Sequence, residues 1–348
     1  MIRAIDFFCG AGGMSFGLAS SGIEIIAGID HDKKNRLTYE ANIPGAVFIE
    51  SDVRKMRAES LAKIAGIRRL DDDLAFIACG PCQYWTNMRT IKSKASSTKN
   101  LLWSFKRFVE HYLPGYIVIE NVPGIMRNGI ESKLRRFIKI LSSLQYQLAY
   151  GVLNTANFQV PQNRHRFILI ASRINNNIGL PLAKQQPSHV RNVLGVNNGF
   201  ATISPGHHDD SPFLHTTAKL APINMQRLEM TPIDGGDRLS WKDIKSLQLK
   251  AYIDKDNTYK DTYGRLFWDK PAPTITTKFY SISNGRFAHP EENRGLSLRE
   301  GATLQSFPKD YTFHGTGIGD IARQIGNAVP PALARHIGLR IIQISSNK

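Results

Sequence analysis

Seven apolar runs organise the first half of the chain, and each ends in a polar or glycine-rich loop. They are Ile2 to Phe8, Glu24 to Ile29, Val47 to Glu50, Leu74 to Ala78, Tyr116 to Glu120, Gln147 to Leu153 and Phe167 to Ala171. Between them, Met14 to Ala19, Asp32 to Ala41, Leu101 to Tyr112 and Glu131 to Leu144 have the length and spacing of helices. Strand-length runs alternating with helical segments predict an α/β fold, a doubly wound, mostly parallel sheet with helices on both faces. Such sheets bind ligands outside the carboxyl ends of their strands, where this sequence places Phe8, Asp30, Asp52, Cys82 and Glu120.

From about Asn175 the pattern gives way to short polar stretches rich in Pro, Gly and Asn, such as Ser204-Pro205-Gly206 and Asp234-Gly235-Gly236. A smaller, loop-rich second domain is expected there. Helical signals return at Ser297 to Gln305 and at Ala332 to Ile342, the latter behind Pro330-Pro331, where proline suits the first turn. The expected division is 1–175, 176–293 and 294–348, the last segment returning to the first domain.

Charge narrows the class of partner. A formal net charge of +16 favours a polyanion, nucleic acid before an anionic membrane surface, because each neutralised phosphate releases counterions. No apolar stretch approaches the roughly 20 residues of a spanning helix, so an intracellular protein without a membrane role is expected. Cys9, Cys79 and Cys82 are too few and too clustered for a disulfide framework. No metal site is expected: His207, His208, Asp209, Asp210 and His215 lie close in sequence, but spacing alone shows no coordination geometry.

Three strand-ending loops carry chemistry. In Gly10-Ala11-Gly12-Gly13 the glycines let a ligand approach the backbone, yet the loop lacks the last glycine of the dinucleotide fingerprint. Asp30, at the end of the second strand, suits the hydroxyls of a ribose. A ribose-bearing cofactor without an obligatory pyrophosphate points to S-adenosylmethionine. In Cys79-Gly80-Pro81-Cys82-Gln83, Cys82 is the candidate nucleophile. The redox reading of Cys-Gly-Pro-Cys ignores the glycine-rich loop before it and the length of the chain. The segment 83–109 contains Arg89, Lys92, Lys94, Lys99, Lys106 and Arg107 and no acidic residue, which suits a loop and helix lying against phosphates. Gln83, Arg89, Lys92 and Lys94 are its DNA-contact candidates.

Six segments, in order, resemble the motifs of the DNA (cytosine-5)-methyltransferases. They are Asp6-Phe7-Phe8-Cys9-Gly10-Ala11-Gly12-Gly13, Gly80-Pro81-Cys82-Gln83, Glu120-Asn121-Val122, Gln162-Asn163-Arg164-His165-Arg166, Arg294 to Glu300 and Gly326 to Pro331. Residues 176–293 then stand in the place of that family's target recognition domain, where Pro273-Thr274-Ile275 resembles its short Thr-aliphatic element. The resemblance implies that Cys82 adds as thiolate to carbon 6 of a flipped cytosine. Arg164 and Arg166 would supply positive charge, Arg166 would hold the carbonyl at carbon 2, and Glu120 would face ring nitrogen 3 and the amino group. It assigns Phe8, Gly10, Ala11, Gly12, Gly13, Asp30, Asp52, Pro81 and Asn327 to the cofactor, with His31 stacking on the adenine. Tyr84-Trp85-Thr86 departs from the small residue, Phe and Ser common after the motif glutamine.

The partners implied are double-stranded DNA, held between the domains, and a cognate restriction endonuclease acting independently. A monomer on chromosomal DNA in a bacterial-type cytoplasm is expected. Two rivals are a tRNA cytosine-5 methyltransferase on the same scaffold and a sequence-specific binding protein that has lost catalysis.

Overall fold

Each apolar run becomes a strand of one sheet: β1 (Arg3–Phe7), β2 (Glu24–Asp30), β3 (Val47–Glu50), β4 (Leu74–Ala78), β5 (Tyr116–Asn121), β6 (Gln147–Asn154) and β7 (His165–Ser172). The structure is a computed structural model that describes residues 1–80, 100–126, 133–183, 186–253 and 255–346. The strand order is β3-β2-β1-β4-β5-β7-β6. Neighbours from β3 to β5 pair in parallel, while β7 runs antiparallel to both β5 and β6. The chain winds outward from β1 through β2 to β3 and then from β4 to β5 on the other side. The β1/β4 boundary is therefore the topological switch point, and the loops that follow those two strands flank it.

Alternation along the strands sorts the apolar residues into two cores. Ile5, Phe7, Ile29, Phe76 and Ile119 face one side with Phe105 and Phe108 of α4 (Leu101–Tyr112) and Phe137 of α5 (Lys133–Ser143). Ala4, Ile77, Val118, Ile168 and Ile170 face the other. That second face is covered by α1 (Gly13–Ala19) and α9 (Pro331–Ser346), which pack so closely that a Cβ on Gly17 would lie 2.3 Å from the Pro331 carbonyl oxygen. The predicted helix at Asp32 to Ala41 is a 3-10 turn followed by α2 (Arg36–Asn42). The short α3 (Ser60–Ala65) was not expected from the pattern.

By contacts the chain forms two compact units. The first comprises Met1–Phe158, His165–Lys184 and Val329–Lys348, and the second Gln159–Arg164 and Gln185–Ala328. Residues 294–328 thus fold with the second unit, and the chain rejoins the first only at Val329. The reason lies in their hydrogen bonds. At the start of α7 (Leu298–Leu304) the Leu298 N–H donates to the Thr216 carbonyl, and the Arg299 guanidinium donates to the carbonyls of Pro212 and Phe213.

The second unit contains α6 (Pro222–Glu229), α7 and α8 (Ile318–Asn327), while its β-pairing consists of isolated bridges. Loop carbonyls without ladder partners need other donors, and buried guanidinium groups supply them. Arg265, 1% exposed, donates to the carbonyls of Leu228, Thr231, His289 and Glu292. Arg294 pairs with Glu300 at 2.7 Å. Burial opposes ionisation of Glu300, but Arg294 outweighs it and brings that carboxyl down to about 2.

Candidate functional site

Strand register brings two of the expected groups, Asp30 and Glu120, into one row. Asp6 is level with Gly28 on β2 and Ile77 on β4, and Ile77 is level with Val118 on β5. Two residues further along each strand, on the same face, stand Asp30, Cys79 and Glu120, because side chains alternate with a period of two. Antiparallel pairing of Glu120 with Ile168 puts Arg166 on that face as well.

At the β1 end of the row the backbone turns sharply. Phe8, Gly10 and Gly12 have φ of 65°, 53° and 91°, and no atom lies within 4 Å of where a Gly10 Cβ would stand. Glycine removes the strain of positive φ at two of these positions and leaves open space at Gly10. The Gly10 N–H donates to Asp30 Oδ2 at 2.9 Å and the Asp32 N–H to Asp30 Oδ1 at 2.8 Å, so the carboxylate is held across the end of its strand. Ala11 and Gly13 are buried at the start of α1. His31 is 70% exposed, and its Nδ1 lies 3.4 Å from Asp30 Oδ1. Hydrogen bonding to Asp30 raises the His31 imidazole above its ordinary pKa. Open space over the positive-φ glycine backbone beside an oriented carboxylate fits the ribose-bearing cofactor expected from the sequence.

Asp52 carries a partner that the sequence reading did not consider. Arg54 Nε and Nη2 bind its two oxygens, the closest approach being 2.6 Å, and these hydrogen bonds hold the carboxyl down at about 2. A ligand reaching the outer lone pairs of Asp52 shares them with that guanidinium.

At the other end, Arg166 Nε lies 2.8 Å from Glu120 Oε1, and both side chains are nearly inaccessible. Arg166 Nη1 donates to the His165 carbonyl at 2.7 Å, which sets the plane of the guanidinium. Asn121 Nδ2 donates to the Gly80 carbonyl at 3.3 Å, tying the end of β5 to the loop after β4. Arg164 belongs to the second unit. Its guanidinium donates to the carbonyls of Ile275, Gly326 and Ala328. Two arginines expected to act together are thus engaged differently. Asn327, also in the second unit, ends α8 with its side chain exposed.

Pro81, Cys82, Gln83, Arg89, Lys92 and Lys94 lie outside the described residues. Cys79 is partly buried and Cys9 buried, with burial pushing the Cys9 thiol up. His215 uses both ring nitrogens, Nδ1 with Ser297 Oγ at 2.8 Å and Nε2 with the Ala201 carbonyl at 2.9 Å. Asp209 accepts from the backbone of Ser211 and His215. Among the described residues no helix is long and apolar enough to cross a membrane.

The sequence reading passed over Asp6 as part of an apolar run. It is fully buried, and its Oδ2 accepts a 2.6 Å hydrogen bond from Ser15 Oγ. Its legible signals were a carboxylate inside the strand Arg3–Phe7 and its place at the head of the motif segment Asp6 to Gly13.

The model of the C-5 cytosine-specific DNA methylases matches residues 2–343. Among curated relatives, the type II methylase M.HgiDII of Herpetosiphon aurantiacus is 34% identical, with 97% of this chain and 94% of that protein covered. The type II methyltransferase M.Sau96I of Staphylococcus aureus is 28% identical over 98% of this chain and 75% of its own. Among solved structures, a protein described as a prophage-encoded DNA modification methyltransferase of E. coli superposes with a TM-score of 0.76. It is 21% identical, with 99% of this chain and 100% of that one covered.

Proposed function

The chain belongs to the family of C-5 cytosine-specific DNA methylases, and from that premise we propose that it methylates carbon 5 of a flipped cytosine in a specific sequence of duplex DNA. The observation that carries this reading is the buried Glu120–Arg166 pair, 2.8 Å apart on the sheet face and strand-end row that also hold Asp30. When bound, S-adenosylmethionine supplies the methyl group as an electrophile. Asp30 holds the ribose, its carboxylate already oriented by the Gly10 and Asp32 N–H groups. The open backbone at Gly10 admits the methionine end.

Carbon 5 of cytosine is a poor nucleophile until carbon 6 has taken one. The Cys82 thiolate forms a bond to carbon 6, and the displaced ring electrons make carbon 5 able to attack. Glu120 faces ring nitrogen 3 and the amino group; carrying a proton when the base is bound, it gives that proton to nitrogen 3 as the thiolate adds and takes it back when the ring is restored. Arg166 fixes Glu120 and offers its remaining donors to the carbonyl at carbon 2. Loss of the carbon 5 proton then expels Cys82 and restores the ring. Arg164 we read as a positioning residue for the segment that ends at Ala328, since backbone carbonyls occupy its guanidinium. The base must leave the helix to meet these groups, at a cost of a few kcal/mol in unstacking. The type II relatives support a restriction endonuclease that acts independently at the same site, and their bacterial sources support a cytoplasmic enzyme on chromosomal DNA. The reading takes the working form to be a monomer.

Purified protein should transfer labelled methyl from S-adenosylmethionine to duplex DNA and not to tRNA. Incorporation into tRNA alone, or DNA binding without incorporation, would overturn the reading. Cofactor contact has its own test. At a cofactor concentration about 100 times Kd the protein should gain about 2.7 kcal/mol of stability, seen as a raised Tm. Asp30→Ala should lose most of that gain, because a charged hydrogen bond contributes about 1.5–3 kcal/mol. Equal shifts in the two proteins would remove Asp30 from the site.

A further inference from the structure

Asp6 stands one row below the carboxyl-end groups, on the same face of the sheet. It belongs to a built network. Ser15 Oγ donates to its Oδ2 at 2.6 Å, and the hydroxyl of the fully buried Tyr39 lies 3.0 Å from Ser15 Oγ. Gly28, level with Asp6 on β2, makes room for this, since a Cβ there would lie 2.3 Å from the Tyr39 ring. Asp6 Oδ1 is buried, and among the described residues no hydrogen-bond partner reaches it. An orphaned carboxyl oxygen in a dry site is costly unless something else answers it.

We propose that Asp6 senses the charge of the cofactor, holding a proton more readily in the free protein and giving it up when the sulfonium cation of S-adenosylmethionine occupies the site above it. The inference rests on the cofactor reading given above. It makes Asp6 a residue that distinguishes the cationic donor from its neutral thioether product. On donor binding the Asp6 proton leaves for solvent, and once the methyl group has gone Asp6 takes one back.

The surroundings favour this behaviour. Asp30 faces Asp6 from β2 and has His31 beside it, Glu120 faces it from β5 and is paired with Arg166, and the Cys9 thiol stands on the adjoining loop. Among the described residues, the helices contribute the hydroxyls of Ser15 and Tyr39. Among the described residues no cation pairs with Asp6 itself. Burial, helped by Asp30 and Glu120 and opposed by the Ser15 hydrogen bond, pushes the Asp6 carboxyl up to about 7. A bound cation reverses that balance, favouring the ionised form.

Calorimetric titration of the full chain with S-adenosylmethionine and with S-adenosylhomocysteine, near pH 7 in buffers of different ionisation enthalpy, counts the protons released. The donor should release more than the product, and the excess should vanish in Asp6→Asn. The ratio of donor to product affinity should rise from pH 6 to 8, at most about tenfold per pH unit, the limit for one linked proton. His31 and the ligands' own amines also titrate, so the result is read as a difference between wild type and variant. Ser15→Ala removes the hydrogen bond that favours ionisation and should move the midpoint to higher pH, which keeps the test decisive if Asp6→Asn does not fold. Binding of both ligands with proton counts unchanged by Asp6→Asn, or a midpoint unmoved by Ser15→Ala, overturns the inference while leaving the cofactor reading intact. Binding of neither ligand overturns both.

Discussion

Cys82→Ser should lower turnover by a factor on the order of 10⁴ or more, the scale seen when a covalent nucleophile is removed. A hydroxyl is a far weaker nucleophile than a thiolate, and free cysteine, with a pKa near 8.5, already offers some thiolate at neutral pH. Affinity for DNA and cofactor should survive, because neither depends on the sulfur. The decisive substrate is a duplex carrying 5-fluorocytosine at the target. Fluorine cannot depart as a proton does, so wild-type protein should stall after methyl transfer with its sulfur joined to carbon 6. The adduct should appear as a complex that resists denaturation and has the summed mass of protein and methylated DNA. Cys82→Ser should form none. Cys79→Ser is the control: Cys79 lies partly buried on the loop after β4, and a redox pair would need both thiols. If Cys79→Ser lost activity as fully as Cys82→Ser while staying folded, or if wild-type protein methylated the natural site and never trapped on the fluorinated one, the covalent mechanism would be wrong.

Glu120→Gln should lower the single-turnover rate by about 10²–10⁴, the range for a positioned group that handles charge in the transition state. It should also destabilise the fold by about 3–5 kcal/mol, because Arg166 is then left buried beside a neutral partner. The two effects separate in a double-mutant cycle. Arg166→Gln added to Glu120→Gln removes the uncompensated charge and should recover part of the stability, as urea denaturation would record, while the rate stays low. Recovery of both together would mean that Glu120 acts only through folding. A single-turnover rate within about threefold of wild type in Glu120→Gln would remove it from the chemistry.

Much of this protein was legible along the chain. Apolar runs closed by polar or glycine-rich loops became β1 to β7 within a residue or two, because strand periodicity and turn chemistry are short-range properties. The glycines at 10 and 12, the carboxylate at the end of β2 and the ordered motifs could be read for the same reason. Register could not. That Asp6, Asp30, Glu120 and Arg166 share one face depends on strands far apart in sequence pairing in one particular alignment, and a shift of one residue would turn each strand's side chains away. Nor could the sequence show the partners of Arg164 and Arg166, although the resemblance had set Arg166 apart at the carbonyl of carbon 2. Only the fold gave one to backbone carbonyls of the second unit and the other to Glu120. Arg54 on Asp52, the return of the chain at Val329 and the orphaned oxygen of Asp6 were likewise decided by tertiary structure. Each depends on which distant groups meet in a space too dry to leave a charge or a carbonyl unanswered without cost.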